Sequence, residues 1–362
     1  MKRQTICIAP LDWGLGHATR CISLTKGLLQ LGYNIVIASE GHHQALLREA
    51  IPEATFLTLA GYRIKYSKKG KWFLWAILLQ IPKIVFSIYY EKRWLYKMQK
   101  QFHFDIIISD NRFGFRHHKI PSVFITHQLN VQTPWRWSNL FIRKIQYHFI
   151  NRFDACWVPD MEGNNNLSGI LSNATVKPKV PIWYMGTLSR LKSQQKEAST
   201  TSPIQFLGIV SGPEPQRTLF ENLLWATGNG LHKPFAIVAG RPLQLGENKF
   251  TQNGALYQHA DGDKLALLIQ SAEVIIFRGG YTSLMELLPF NKKLIMVPTP
   301  GQTEQTYLAK WWSSHHWALY YEQAHFNLEK ALEEAEETVF EQPVFTPFSV
   351  ETLKAKLKEL TL

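Results

Sequence analysis

Short, often β-branched apolar runs recur along the chain, spaced widely enough for many of them to be separated by a helix. This rhythm limits the fold more than any other feature. The first half carries ICIAP (6–10), NIVIAS (34–39), TFLTLA (55–60), DIIISD (105–110), SVFIT (122–126) and ACWVP (155–159). The second half carries IQFLGIV (204–210), FAIVAG (235–240), GALYQ (254–258), EVIIF (273–277) and KLIMVP (293–298). Runs of this length with polar helical patterns between them read as buried parallel strands joined by crossover helices. Two series predict an α/β protein of two doubly wound, Rossmann-like domains, over 1–188 and 203–345. A chain of 362 residues can bury two such cores. Between them, RLKSQQKEASTTSP (190–203) is polar, rich in Ser, Thr and Gln, and closed by a proline, which reads as a linker. Residues 346–362 are expected to form a last helix that packs back on the N-terminal domain.

Charge divides the chain in the same place. Residues 1–190 hold 25 Lys and Arg against 10 Asp and Glu, whereas the remainder holds 15 against 18. A basic half of this kind suits an anionic partner, whether nucleic acid, a membrane surface or a phosphorylated substrate. Three cysteines without paired spacing (Cys7, Cys21, Cys156) exclude a disulfide framework and fit a reducing cytoplasm. The N-terminus runs straight into a strand-like segment with no signal-peptide core, and no apolar stretch reaches the length of a membrane span. The expected location is therefore cytoplasmic, with peripheral contact on the inner face of a membrane.

That contact is suggested by residues 62–103, where Lys and Arg mix with Trp72, Phe73, Trp75, Phe86, Tyr89, Tyr90, Trp94 and Tyr96. Pro82 is expected to kink or split a helix there. TPWRWSNLFIRK (133–144) has the same character. Such stretches fit a core helix with a solvated basic face, an interfacial surface meeting anionic lipid, or a nucleic-acid channel. Two of them in the basic half favour the membrane, and no nucleic-acid partner is expected.

Two regions carry chemistry. The first strand runs into LDWGLGHATR (11–20), then into a helix with apolar spacing that Gly32 ends. Gly14 and Gly16 suit a turn that presents backbone N–H groups to an anion at a helix N-terminus. A dinucleotide loop would place a third glycine where Thr19 stands. His17 lies instead at the mouth of the helix, where a neutral imidazole can take a proton from a hydroxyl. The second region is FRGGYTSLMELLPFNKKLIMVPTPGQTEQTYLAKWW (277–312), a strand–glycine loop–helix–strand–loop–helix series. Gly279 and Gly280, following Arg278, let backbone N–H groups approach a diphosphate. Glu286 can accept from two ribose hydroxyls, and Thr303, Glu304 and Gln305 can bind sugar hydroxyls and phosphate.

These motifs resemble a glycosyltransferase of the GT-B fold. The pattern is similar to family 28, which includes the N-acetylglucosaminyltransferase that forms lipid II, and to the related diacylglycerol galactosyltransferases. GLGH, Gly14 to His17, resembles the family's first loop, and HQLN, His127 to Asn130, its acceptor-side stretch. SGPEPQR, Ser211 to Arg217, resembles its second-domain glycine loop. RGGYTSLMELL and VPTPGQTEQ resemble its donor-binding region, with Glu286 at a ribose-binding place and Gln305 at a sugar-binding place.

The resemblance implies two domains facing a central cleft and metal-independent, inverting transfer of a sugar from a nucleotide-sugar, UDP-linked by expectation, to an acceptor hydroxyl. No cofactor or metal site is expected. Donor binding is expected at Gly14, Gly16, Ser211, Gly212, Arg217, Arg278, Gly279, Gly280, Ser283, Glu286, Gln302, Thr303, Glu304 and Gln305. His17 is the expected general base and Asp110 its orienting carboxylate, with Asp12, His127 and Asn130 on the acceptor side. The basic-aromatic half points to a lipid-linked acceptor. Three other readings stay open: a UDP-sugar 2-epimerase of the same fold, an NAD-dependent oxidoreductase with Glu40 as ribose acceptor, and a non-enzymatic binding module, such as a nucleic-acid protein using the basic half.

Overall fold

The computed structural model describes residues 3–63, 80–133, 136–191, 203–212, 214–241 and 247–361. They form two compact units. One holds the described residues up to Ser189 together with those from Val344 onward, and the other those from Arg190 to Pro343. Most of the linker, together with Trp72, Phe73, Trp75 and the middle of the first basic-aromatic segment, lies outside the described residues.

The first unit is built on a seven-stranded parallel sheet: β1 (Thr5–Pro10), β2 (Asn34–Ser39), β3 (Thr55–Thr58), β4 (Ile106–Asp110), β5 (Ser122–Ile125), β6 (Ala155–Val158) and β7 (Ile182–Tyr184). Their order is β3-β2-β1-β4-β5-β6-β7. Crossovers leave β1 toward β2 and β3, then return to β4 on its other side. The β1–β4 edge is thus the switch point, where an open α/β sheet leaves a crevice at its carboxyl end. Cys7 and Ala9 of β1, Val36 and Ala38 of β2, and Ile107 of β4 alternate onto one face, where Leu59, Leu95, Phe104 and Phe115 cover them.

Helices α1 (Gly16–Gln30), α2 (Gly41–Ala50), α3 (Ile81–Phe102) and α4 (Arg136–Ile150) belong to this unit. Gly32, with φ of 86°, ends α1 in the left-handed conformation. Pro82 neither kinks nor splits α3. It occupies the first turn, where a proline costs no intrahelical hydrogen bond. The chain's last segment returns here. Thr187 N–H donates to Thr346 O (2.9 Å), Phe348 N–H donates to Thr187 O (3.2 Å), and the final helix, Val350–Thr361, follows.

The second unit repeats the plan with β8 (Ile204–Ile209), β9 (Phe235–Val238), β10 (Lys249–Phe250), β11 (Gly254–Tyr257), β12 (Ala272–Phe277), β13 (Lys293–Met296) and β14 (Leu319–Tyr320). The order is β10-β11-β9-β8-β12-β13-β14, with only β10 antiparallel to its neighbour. Its switch point is the β8–β12 edge. Helices α5 (Gln216–Gly230), α6 (Gly262–Ser271), α7 (Tyr281–Leu287), α8 (Thr303–Ser314) and α9 (Leu328–Glu337) complete the unit, and Val350–Thr361 of the first unit is α10. Phe206, Phe220, Phe235, Ile276 and Ile295 fill its core together with Leu328 and Leu332 of α9. The acidic Asp-Gly-Asp at 261–263 caps a helix: the Asp261 side chain accepts from Lys264 N–H at 2.8 Å.

Candidate active site

At the first unit's switch point, β1 ends, the chain turns through Gly14 (φ 72°), and α1 begins at Gly16. A side chain at Gly14 would meet no obstacle, so the positive φ is what calls for glycine there. Thr19, at the position where a dinucleotide loop would need glycine, turns its hydroxyl back to Gly16 O (3.0 Å) and continues the helix. Asp110 is the last residue of β4, and Asn111 after it adopts a left-handed φ of 57° that stops the strand.

This turn and strand end bring His17 to Asp110. His17 Nδ1 lies 3.1 Å from Asp110 Oδ1, and the His17 side chain keeps 12% exposure while Asp110 has none. Arg20, one turn along α1, completes the arrangement. Its Nε donates to Asp110 Oδ2 at 2.8 Å, and its Nη2 also contacts Asp110 Oδ1. Nη2 stands 2.8 Å from His17 Nδ1, and Nη1 stands 3.1 Å from Nδ1 of His127, which follows β5.

Burial raises the affinity of Asp110 for a proton, but the Arg20 cation and His17 outweigh it and hold the carboxyl well below the usual range. Burial lowers the His17 pKa. Asp110 opposes that fall, while Arg20 and His127 add to it. The result is a neutral, partly exposed imidazole backed by a buried carboxylate, which is what a base for a hydroxyl requires. Sequence reasoning missed Arg20. The signal was its spacing: an arginine three residues after a candidate histidine shares that histidine's helix face.

Asp12 is engaged by the backbone beyond β3. Its two oxygens accept from Tyr62 N–H and Arg63 N–H, both at 2.7 Å, and so clamp the chain beyond β3. Glu40 is engaged as well, by Gly61 N–H (2.8 Å) and by Arg63 Nε (2.7 Å) and Nη2 (2.6 Å). The carboxylate at the end of β2 is thus held by Arg63 and the Gly61 backbone. Asn130 is fixed through its backbone, donating to Leu171 O at 3.0 Å and accepting from Gln132 Nε2 at 3.2 Å.

In the second unit the expected donor residues gather at the carboxyl ends of β8, β12 and β13. Ser211 and Gly212 (φ 104°) follow β8, while Arg278, Gly279 (φ 72°) and Gly280 follow β12. Ser283 and Glu286 lie on α7. Gln302 is the N-cap of α8, and Thr303, Glu304 and Gln305 form its first turn. Gln305 Oε1 accepts from Thr299 N–H (2.8 Å) and so shapes the loop after β13. Glu286 Oε1 accepts from Arg190 Nε at 2.7 Å.

Arg278 is the electrostatic centre of this region. It is buried, and no carboxylate among the described residues pairs with it. Nη1 donates to Gln323 Oε1 (2.6 Å) and Val297 O (3.3 Å), Nη2 donates to Gln216 O (2.7 Å), and the guanidinium lies 3.9 Å from the centre of the Phe220 ring. Burial lowers its pKa to about 9. Arg278 Nε, Gln216 Oε1 and Thr299 Oγ1 are all buried without a hydrogen-bond partner among the described residues. Buried polar atoms of this kind need water or a polar ligand to complete their bonding, and these three follow β8, β12 and β13. Arg217 does not belong to this group: its Nε donates to Glu214 Oε1 (2.8 Å) and its Nη1 to Gly240 O (3.3 Å), which turns it onto its own loop.

Residues 221–356 match the model of the glycosyltransferase family 28 C-terminal domain. An uncharacterized glycosyltransferase of Methanosarcina mazei is 22% identical over 311 residues, which cover 81% of this chain and 79% of that protein. The structure of Arabidopsis thaliana UGT89C1 complexed with UDP-L-rhamnose aligns with a TM-score of 0.62 and 13% identity over 100% of both chains. Acinetobacter baumannii MurG aligns with a TM-score of 0.52 and 16% identity over 93% of this chain and 90% of its own. The chain is a glycosyltransferase of the GT-B fold. Most of the family match falls on the unit whose β12–α8 region carries the donor-like loops, and the glycosyltransferase reading prevails over the oxidoreductase that Gly14, Gly16 and Glu40 left open. Among the described residues of this glycosyltransferase, no cluster of three His, Cys, Asp or Glu could hold a metal ion.

Proposed function

We propose that the enzyme transfers a sugar from a UDP-sugar to an acceptor hydroxyl with inversion, using His17 as the base and no divalent cation. The observation that carries this reading is the His17–Asp110 pair at 3.1 Å at the sheet's switch point. His17 Nε2 takes the hydroxyl proton as the acceptor oxygen bonds to the anomeric carbon. The bond from that carbon to the leaving phosphate oxygen breaks, and its electron pair departs with the UDP. The proton stays on His17, whose imidazolium is stabilised by the Asp110 carboxylate, until solvent removes it.

The second unit binds the donor in this scheme. The first turns of α7 and α8 and the glycine loops supply backbone N–H groups to the diphosphate, and Arg278 supplies positive charge from beneath. The Glu286 carboxylate receives the ribose hydroxyls. Titration calorimetry with UDP and with NAD tests the donor assignment. UDP is expected to bind, and Glu286→Gln to weaken it at least about tenfold, the scale of one charged hydrogen bond. Binding of NAD with no response to UDP would overturn the assignment.

The acceptor we propose is lipid-linked and met at an anionic membrane surface. Along α3, Ile81, Val85 and Tyr89 form one exposed row and Phe86 and Tyr90 another, with Phe86 68% exposed. Lys83, Lys92 and Arg93 stand among them, and the Arg93 guanidinium lies 5.7 Å from the centre of the Tyr89 ring. On α4, Leu140, Phe141 and Ile145 are exposed beside Arg143 and Lys144. Apolar rows flanked by cations suit an interface with anionic headgroups. No helix among the described residues is long and apolar enough to cross a membrane.

A further inference from the structure

Arg20 is more deeply buried than the histidine it serves, at 2% exposure, and it touches every ionisable partner of the site. One edge of its guanidinium, Nε and Nη2, grips both oxygens of Asp110. Its other end presents Nη2 to His17 Nδ1 (2.8 Å) and Nη1 to His127 Nδ1 (3.1 Å). A guanidinium has five N–H donors, no acceptor, and a charge it does not lose. Any ring nitrogen that bonds to it must therefore be the acceptor.

For His127 this fixes the tautomer: Nδ1 accepts from Arg20, so the ring hydrogen sits on Nε2, and the Gln128 amide, whose Nε2 stands 3.4 Å away, must present its oxygen instead to accept that hydrogen. For His17 the same nitrogen is contested. With Asp110 Oδ1 at 3.1 Å as its partner, Nδ1 carries the hydrogen and Nε2 is free to act as a base. With Arg20 as donor, the hydrogen moves to Nε2 and the base is lost. Asp110 can win that contest only as a carboxylate, and the two-pronged contact from Arg20 keeps it one. We propose that Arg20 is a positioning residue that sets opposite hydrogen-bonding roles on the two imidazoles: His17 as proton acceptor through Asp110, and His127 as an obligatory Nε2–H donor.

The charged and titratable groups facing His17 are Asp110 from β4, Arg20 from its own helix and His127 beyond β5, with Cys21 Sγ 3.6 Å from Asp110 Oδ2. Of these, Arg20 alone contacts all three of His17, Asp110 and His127. The inference rests on His17 as the base, but its test needs no turnover. The two ideas can therefore fail separately.

The experiment is long-range proton–nitrogen NMR of the full-length protein labelled in histidine, titrated from pH 5 to 9. The two rings are assigned with His17→Gln and His127→Gln variants. In the native protein, neutral His127 is expected to carry its hydrogen on Nε2 and neutral His17 on Nδ1. In Arg20→Gln, His127 is expected to become a mixture of tautomers, and the proton affinity of His17 to rise at least about tenfold as the adjacent cation is removed. Arg20→Lys keeps the charge and loses the fork. It guards against misfolding of the neutral variant and is expected to free the His127 tautomer while leaving His17 near its native titration. A native His127 protonated on Nδ1, or a native His17 protonated on Nε2, overturns the proposal. So does an unchanged His127 tautomer in Arg20→Lys.

Discussion

Asp110→Asn is the sharpest perturbation of the first unit. The substitution preserves shape and removes one charge from a fully buried site where Asp110 accepts from Arg20 through both oxygens and from His17. Arg20 is then left buried without its counter-ion, and an amide N–H must face a donor. Breaking a buried pair from one side typically costs about 3–5 kcal/mol. A stability loss of that size is expected in urea unfolding of the full chain, followed by a probe within the first unit because the two units need not unfold together. Arg20→Met alone should cost a comparable amount, since it strands the carboxylate. The double variant should recover most of the loss, giving a coupling energy of several kcal/mol in the cycle. Sugar transfer separates the two roles: Asp110→Asn and the double variant should both fall about 10²–10⁴-fold, whatever their stability. A cost below about 1 kcal/mol for Asp110→Asn, or single-variant losses that simply add, would refute the buried pair.

Two further tests concern α3, the second together with α4. Glu91 on that helix is buried and pairs with Arg112 Nη1 at 3.0 Å; burial raises its pKa to about 7 against the opposing pull of Arg112. Between pH 4.5 and 7 the folded protein keeps a proton that the unfolded chain releases. The contribution of Glu91 to stability should therefore fall by up to about 3 kcal/mol as pH rises through that window. Glu91→Gln should flatten this part of the stability–pH curve, and identical curves for the two proteins would contradict the assignment. Sedimentation with vesicles containing an anionic phospholipid should recover the native protein at low salt and much less of a Phe86→Ser/Phe141→Ser variant. Equal recovery of both would remove these residues from a membrane face.

The main strands were legible in the sequence because burial on both faces demands continuous apolar runs, and every run from ICIAP to KLIMVP became one. The strands that sequence reasoning missed are Ile182–Tyr184, Lys249–Phe250 and Leu319–Tyr320. Each is two or three residues long and lies at or next to a sheet edge, where pairing rather than hydropathy defines the strand. Pro82 starts its helix instead of breaking it, because a proline terminates or starts a helix depending on where the first turn falls. His17 and Asp110 could be brought together from sequence alone, since both stand at the carboxyl ends of strands flanking a switch point. Asp12 and Arg217 could not be placed, because their partners, a loop backbone beyond β3 and Glu214, are set by tertiary geometry. Arg20 was hidden by its type: a charged residue on a helix reads as solvated until its partner is located on another strand.

The proposed mechanism requires that His17 remove a proton during sugar transfer. The direct measurement is the initial rate of label transfer from radiolabelled UDP-sugars to lipids in anionic vesicles, compared between the native enzyme and His17→Ala with both proteins shown to bind UDP equally. A labelled lipid product from the native enzyme, formed at least about 10²-fold more slowly by His17→Ala across pH 6–9, is the predicted result. Product formed by His17→Ala at close to the native rate would contradict it.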